Sequence, residues 1–381
     1  MKDSVLIIAA EASSSLYARR LLEHWRKQGL DVDAFGIGSH DMEEMGFRRI
    51  GKSEEMAVVG LQEVIKHFPL IKKVFYGLLD EVDRVKPKFA LLLDYPDFNL
   101  RLAEKLKERG VKVIYYISPQ VWAWRTGRVK KIRKVVDHML VLFPFEEPFY
   151  TEHGVKVNFV GHPLLDELPE AGALGDQIHA RQRFGIGETD VVLGLMPGSR
   201  WSEIDHHLDT QIAAAKIVVR KNPRVRAVMM VAPTLDRAQL AARMGDVGFP
   251  IQVIKEDPLK MIALTDVILV ASGTATLMVG LMQKPMVIMY RMNALTAWIA
   301  KKLVTKTKFF GMANLIMNRK VVPELFQEEA NPERLASELL KMIDDPSERS
   351  RVATDLGGIR EKLGNKGATL KVAEILSGYL Q

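Results

Sequence analysis

Two series of short apolar runs, each alternating with helix-period segments, constrain this chain more than any other feature. The first series falls at residues 5–10, 32–37, 89–93, 112–117, 138–142 and 157–160. The second falls at 191–196, 225–231, 251–254, 267–271 and 285–290. Segments between them space apolar residues as an amphipathic helix does; residues 100–109 are one, stopped by Gly110. Such alternation predicts parallel α/β sheets, because a parallel crossover needs a helix-sized connection. Between the two series, DELPEAGALGDQ at 166–177 is acidic, contains Gly and Pro and lacks bulky apolar side chains. It reads as a linker. The expected fold is α/β with two Rossmann-like, doubly wound domains, over 1–168 and 178–345. The helical tail at 346–381 is expected to rejoin the first. A chain of 381 residues is long for one core. Open α/β sheets bind ligands at the carboxyl ends of their strands, so a cleft between two such edges is the expected site.

Composition narrows the chemistry. There is no cysteine, which excludes disulfides and thiolate metal sites. The formal net charge of +7 favours anionic partners: nucleotide phosphates, nucleic acid or acidic lipid. No nucleic-acid module is recognisable, so no nucleic-acid partner is expected. The apolar run at 5–10 is closed by Glu11 and is too short to span a membrane; no uninterrupted apolar stretch of membrane-spanning length occurs elsewhere. A cytoplasmic location is expected.

Several strand ends carry candidate chemistry. LLLDYPDFN ends a strand at Asp94, with Asp97 across a proline. Asp94 reads either as a general base or as a turn residue, and Asp97 as a helix cap. EASSS after the first strand offers Ser13, Ser14 and Ser15 at a strand-to-helix turn, as an anion or sugar contact or as an N-cap. WAWR supplies Trp122, Trp124 and Arg125 ahead of a basic segment. These tryptophans suit stacking on bases, a substrate cleft, a membrane interface or the core. PGSRWSEI places Gly198, Ser199 and Arg200 between a strand and a helix, which suits a phosphate: glycine permits close approach, the helix start donates N–H groups, and arginine is bidentate. Ser272, Gly273 and Thr274 repeat that arrangement in the same half. Two such turns together suggest a nucleotide diphosphate.

Two segments are both apolar and basic: 58–79, containing Val58, Val59, Leu61, Phe68, Leu70, Ile71 and Phe75, and 293–310 around Trp298. Either a headgroup-region helix or a helix packed on the core or a partner subunit gives that pattern.

In order along the chain, EAS, MAVVGLQEV, DYPDFN, YYISPQVWAWR, FPFE, FVGHP, PGSRWSEI, ASGTATL, YRMNALT, ANL and QEE resemble the lipid-A-disaccharide synthase family of GT-B glycosyltransferases. The resemblance covers most of the chain. It implies inverting transfer of 2,3-diacylglucosamine from its UDP derivative to 2,3-diacylglucosamine 1-phosphate (lipid X), forming a β-1,6 disaccharide with release of UDP. No metal or other cofactor is implied. It makes Asp94 the general base, with Asp97 and Glu11 as further catalytic candidates. Ser199, Arg200, Ser272, Gly273, Thr274, position 278, Arg291 and Asn314 fall to the nucleotide side, and Ser13–Ser15, Trp122, Trp124 and Arg125 to the acceptor side. It further implies a Gram-negative source and a peripheral place at the inner face of the inner membrane, where anionic lipid meets the apolar segments; a homodimer would also cover them. Two motifs depart from the family pattern. Its GEASGD is AEASSS here, and its glutamate after ASGTATL is Met278. A divergent active enzyme, a paralogue for another UDP-sugar and a weakened or non-catalytic binder all fit these departures.

Overall fold

A computed structural model describes residues 3–56, 61–122, 126–168, 181–293 and 309–380. The chain forms two compact units, residues 1–166 with 363–381, and residues 167–362.

The first unit holds seven strands: β1 (Asp3–Ala9), β2 (Val32–Gly38), β3 (Arg48–Lys52), β4 (Phe89–Leu93), β5 (Lys112–Tyr116), β6 (His138–Val141) and β7 (Val157–Phe159). Their order is β3-β2-β1-β4-β5-β6-β7, all parallel. Every residue of β4, and β1 from Val5 to Ala9, is buried. That explains why these strands read as unbroken apolar runs: helices cover both faces of a parallel sheet. The second unit holds β8 (Val191–Met196), β9 (Val225–Met230), β10 (Ile251–Ile254), β11 (Val267–Ala271), β12 (Met286–Tyr290) and β13 (Glu324–Phe326). Their order is β10-β9-β8-β11-β12-β13, again parallel.

Strands β3 and β13 were not expected from the sequence. RRIGK is mostly cationic and ELF has three residues. Both sit at a sheet edge, where short or charged strands suffice and also discourage pairing with other chains.

The C-terminal segment returns to the first unit from Leu363. Its helix Ala368–Ser377 packs on the helix Ala12–Lys27. Asp166 accepts hydrogen bonds from the backbone N–H groups of Gly367 (2.6 Å) and Thr369 (3.2 Å), fixing the start of that helix. Tyr379 then hydrogen-bonds His138 at 2.9 Å and packs its ring on Phe89. The preceding helix, Pro346–Leu363, belongs to the second unit up to Lys362, with Asp355 paired to Arg319 at 2.8 Å. The return therefore begins later than the expected 346. Most of the expected linker lies outside the described residues.

The helix Leu61–Val85 carries Pro69 inside it. Val74, Leu78, Leu79 and Val82 are buried. Leu70, Ile71 and Phe75, expected to face a membrane, instead lie partly buried against the core, with Phe75 edge-on to Phe98 at 5.5 Å. Phe68 does project outward, 55% exposed, and Tyr76, not anticipated, is equally so. Val58 and Val59 lie outside the described residues, as do Trp298 and its neighbours. Among the described residues no helix is long and apolar enough to cross a membrane.

Candidate functional site

In each sheet the strand order reverses direction at one place. It lies between β1 and β4 in the first unit and between β8 and β11 in the second. Loops diverge there and leave a crevice at the carboxyl ends. The sequence candidates collect at these two points.

In the first unit Ala9 pairs with Leu93, so Ala10 and Asp94 leave adjacent central strands at one level. Asp94 and Tyr95 both have φ of +48°. Two successive non-glycine residues in the left-handed region are strained and need support. The Tyr115 hydroxyl (2.5 Å) and Asn99 Nδ2 (2.7 Å) both donate to the Asp94 carbonyl, and the Asp94 N–H donates to Tyr116 O at 3.0 Å. Burial raises the Tyr115 pKa well above its ordinary value, so it stays a neutral donor. Asn99 is fully buried. Sequence reading missed both supports, although Asn99 closes the DYPDFN run.

Asp97 behaves differently. The helix Pro96–Glu108 is capped by Tyr95, not by Asp97. The Asp97 carboxylate is 76% exposed and pairs with Arg128 at 2.5 Å. The serines also depart from expectation. Glu11, not Ser13 or Ser14, is the N-cap of Ala12–Lys27, and Ser14 Oγ accepts the Glu11 N–H at 3.0 Å. Ser15 Oγ donates to Ala9 O at 2.9 Å. Both hydroxyls are buried and hold the turn itself, while Ser13 is exposed.

The loop after β5 starts beside Asp94. Its Ser118 Oγ (2.5 Å) and Trp122 Nε1 (3.1 Å) donate to Glu146 Oε1, and the Phe143 N–H donates to Oε2 at 3.0 Å. Glu146 is 2% exposed, and burial pushes its pKa up to about 7 against these donors. FPFE served in the sequence only as a motif of the resemblance, which gave this carboxylate no role. Trp124 and Arg125 lie outside the described residues. Beyond them, the helix Val129–Val135 buries Val129 and Ile132 and leaves its cations to solvent and to acids such as Glu104.

In the second unit Val270 pairs with Met196, so Gly198 and Ser272 leave adjacent strands level with each other. Gly198 has φ of +143°, and a Cβ there would lie 2.5 Å from Glu203 Cβ, so only glycine fits. Glu203 Oε2 accepts the Ser199 N–H at 2.8 Å, and Arg200 Nη1 lies 3.5 Å from Oε1. The Arg200 side chain is half exposed. Around the second turn, Gly273 and Thr274 are exposed at the start of the helix Thr274–Leu281. Among the described residues, no atom beyond its own chain neighbours lies within 4 Å of where a Gly273 Cβ would be. The Cβ side of the turn is thus open, which leaves room for an anion to approach the helix start. Met278 lies one turn further on, partly buried.

His207 was also missed. Its Nδ1 donates to Pro197 O at 2.8 Å, and its Nε2 accepts the Arg291 N–H at 3.1 Å. Burial lowers its pKa, which keeps the ring neutral and suited to both roles. One side chain thus ties the loop after β8 to the loop after β12. Arg291 itself donates to Thr210 Oγ1 at 2.7 Å. Asn314 differs from its expected nucleotide role. Its Nδ2 donates to Val322 O and Glu324 Oε1, both at 2.8 Å, and its Oδ1 accepts the N–H groups of Val321 (2.6 Å) and Val322 (3.0 Å). Its full hydrogen-bonding capacity is used inside the protein. It shapes the segment beside Gly311 rather than presenting a polar group.

Residues 5–374 match the family model described as lipid-A-disaccharide synthetase. The chain belongs to that family. A lipid-A-disaccharide synthase of Geobacter metallireducens is 40% identical over 372 residues, covering 98% of this chain and 96% of the relative. One of Myxococcus xanthus is 39% identical, covering 97% and 96%. Among solved structures, a putative UDP-N-acetylglucosamine 2-epimerase from Listeria monocytogenes matches with a TM-score of 0.68 at 12% identity, covering 100% of this chain and 97% of that one. Acinetobacter baumannii MurG matches at 0.57 and 13%, covering 99% of each. The fold is GT-B, and family membership makes the chain a glycosyltransferase of lipid A biosynthesis.

Proposed function

We propose that the chain transfers 2,3-diacylglucosamine from its UDP derivative to the 6-hydroxyl of 2,3-diacylglucosamine 1-phosphate, with inversion. Asp94 takes the hydroxyl proton as the oxygen attacks the anomeric carbon, and the bond to UDP breaks on the opposite side. The observation that carries this reading is the position of Asp94. It stands at the strand-order reversal, its backbone held in a strained turn by Tyr115 and Asn99. Fixed geometry of that kind favours a near-attack arrangement.

The departing diphosphate gathers negative charge. Arg200, the N–H groups at Ser199 and those at Thr274 are suited to stabilise it. Arg291 and Met278 complete the proposed nucleotide side, and Trp122 the acceptor side. Acylated substrates reside in a bilayer. The exposed Phe68 and Tyr76 beside Lys72 and Lys73 suit a peripheral contact with anionic lipid at the inner membrane face.

The test is disaccharide formation from the two acylated sugars, read by mass spectrometry, with Asp94→Asn alongside. The parent makes product and the variant does not, while the variant keeps its fold and UDP affinity. Near-normal turnover by Asp94→Asn overturns the assignment. UDP binding by a folded parent without product favours the binder reading, for which Met278 is the supporting feature.

A further inference from the structure

Among the described residues Glu146 is the one buried acidic side chain, and the reaction above does not use it. Burying a carboxylate is costly unless its oxygens are hydrogen-bonded. Here the donors come from two loops, Ser118 and Trp122 after β5 and the Phe143 amide after β6. Its contact with Trp122 sets the orientation of the indole through the ring N–H. That ring meets Phe145 edge-on at 4.9 Å, and Phe145 stacks on Phe143 at 5.5 Å. Phe143 is buried, whereas Trp122 and Phe145 each keep part of their surface open. The shelf they form grows from the loop that begins beside Asp94, since Leu93 pairs with Tyr116. Ile117, at φ of +67°, turns the chain at that point.

We infer that Glu146 is a positioning residue: it locks the Trp122 indole against Phe145 so that this aromatic shelf receives the apolar face of the acceptor hexose next to Asp94. The inference rests on the proposed reaction and adds how its acceptor is aligned. A pyranose presents a face of C–H groups, and a rigid aromatic surface covers such a face with little loss of side-chain entropy. An unanchored indole has to be ordered each time the acceptor binds, which weakens binding.

Steady-state kinetics of the parent, E146Q, W122F and the double variant test this, with 2,3-diacylglucosamine 1-phosphate and the UDP donor varied separately. The acceptor KM rises roughly tenfold in each single variant, the worth of one hydrogen bond to a charged group. The donor KM stays put, and the double variant is no worse than either single one, because both act on the same interaction: glutamine has one acceptor oxygen for donors on both sides, which draws it from Trp122, and phenylalanine has no ring N–H. Tryptophan fluorescence shifts in E146Q but shows no such shift when the change is made in W122F. An unchanged acceptor KM overturns the inference, as does a parallel loss in both KM values and kcat, which marks a merely structural carboxylate. If E146Q does not fold, W122F decides by its acceptor KM alone. If the parent makes no disaccharide, the reaction reading fails separately. The shelf is then judged by fluorescence quenching with 2,3-diacylglucosamine 1-phosphate: quenching lost in W122F supports it, and quenching that persists or is absent from the parent overturns it.

Discussion

The carboxylate of Glu203 accepts the backbone N–H of Ser199 at 2.8 Å. An internal anion therefore occupies one of the donors proposed for the diphosphate, and it also faces Arg200. Glu203→Gln keeps an oxygen for that N–H but removes the charge. UDP should bind several-fold more tightly to the variant, and the gain should shrink as salt is raised. Calorimetric titration at two ionic strengths checks this. Weaker binding would show that Glu203 supports the loop more than it competes with phosphate.

Tyr115 and Asn99 hold the carbonyl of Asp94 in a turn costing on the order of 1–3 kcal/mol per strained residue. Tyr115→Phe removes one donor without changing ring packing. Turnover should fall roughly tenfold or more, with the donor KM little changed, because only the placing of the base is disturbed. Full activity in Tyr115→Phe would separate Asp94's strained backbone from catalysis.

Met278 lies one turn into the helix that begins at Thr274 and is not fully buried. A carboxylate there has access to solvent and can accept hydroxyl hydrogen bonds that methionine cannot. Met278→Glu should tighten UDP-sugar binding by roughly 1.5–3 kcal/mol. Unchanged or weaker affinity counts against a ribose contact at this position.

Burial raises Glu146 from 4.5 to about 7. The folded protein thus holds this proton to higher pH than the unfolded chain does. The stability it contributes is complete below the unfolded value, declines as pH rises, and is gone above about 7. The loss amounts to roughly 3 kcal/mol at about 1.4 kcal/mol per pH unit. Urea unfolding of the parent at about pH 5 and about pH 8 should show it, and Glu146→Gln should flatten that part of the profile. Equal pH dependence in both proteins would mean that Glu146 is ionised throughout.

The sheets were legible where burial on both faces forces unbroken apolar runs, as in β4 and β11. Strands β3 and β13 were not, because an edge strand needs neither length nor hydrophobicity. The strand-end loops could be found from the sequence because small residues cluster at Gly198–Arg200 and Ser272–Thr274. Residues acting through the backbone of others were hidden. His207 sits ten positions from Pro197 and 84 from Arg291, and nothing in the sequence joins the three. Asn314 shows the opposite error. It stood in a recognisable motif, yet its amide serves Val321, Val322 and Glu324. Likewise Ser14 and Ser15, which read as ligand contacts or, for Ser14, as an N-cap, close their own turn.

The return of residues 363–381 to the first unit bears on how the chain is made. Domains generally fold as units during synthesis, beginning from the N-terminus. Here the first unit cannot be completed in that order, since its Ala368–Ser377 helix and Tyr379 are made only after the whole second unit. The second unit is contiguous in sequence and complete by Lys362. The later half thus has all its residues before the earlier one does, and a chain cut before Leu363 would hold one complete domain and one still open.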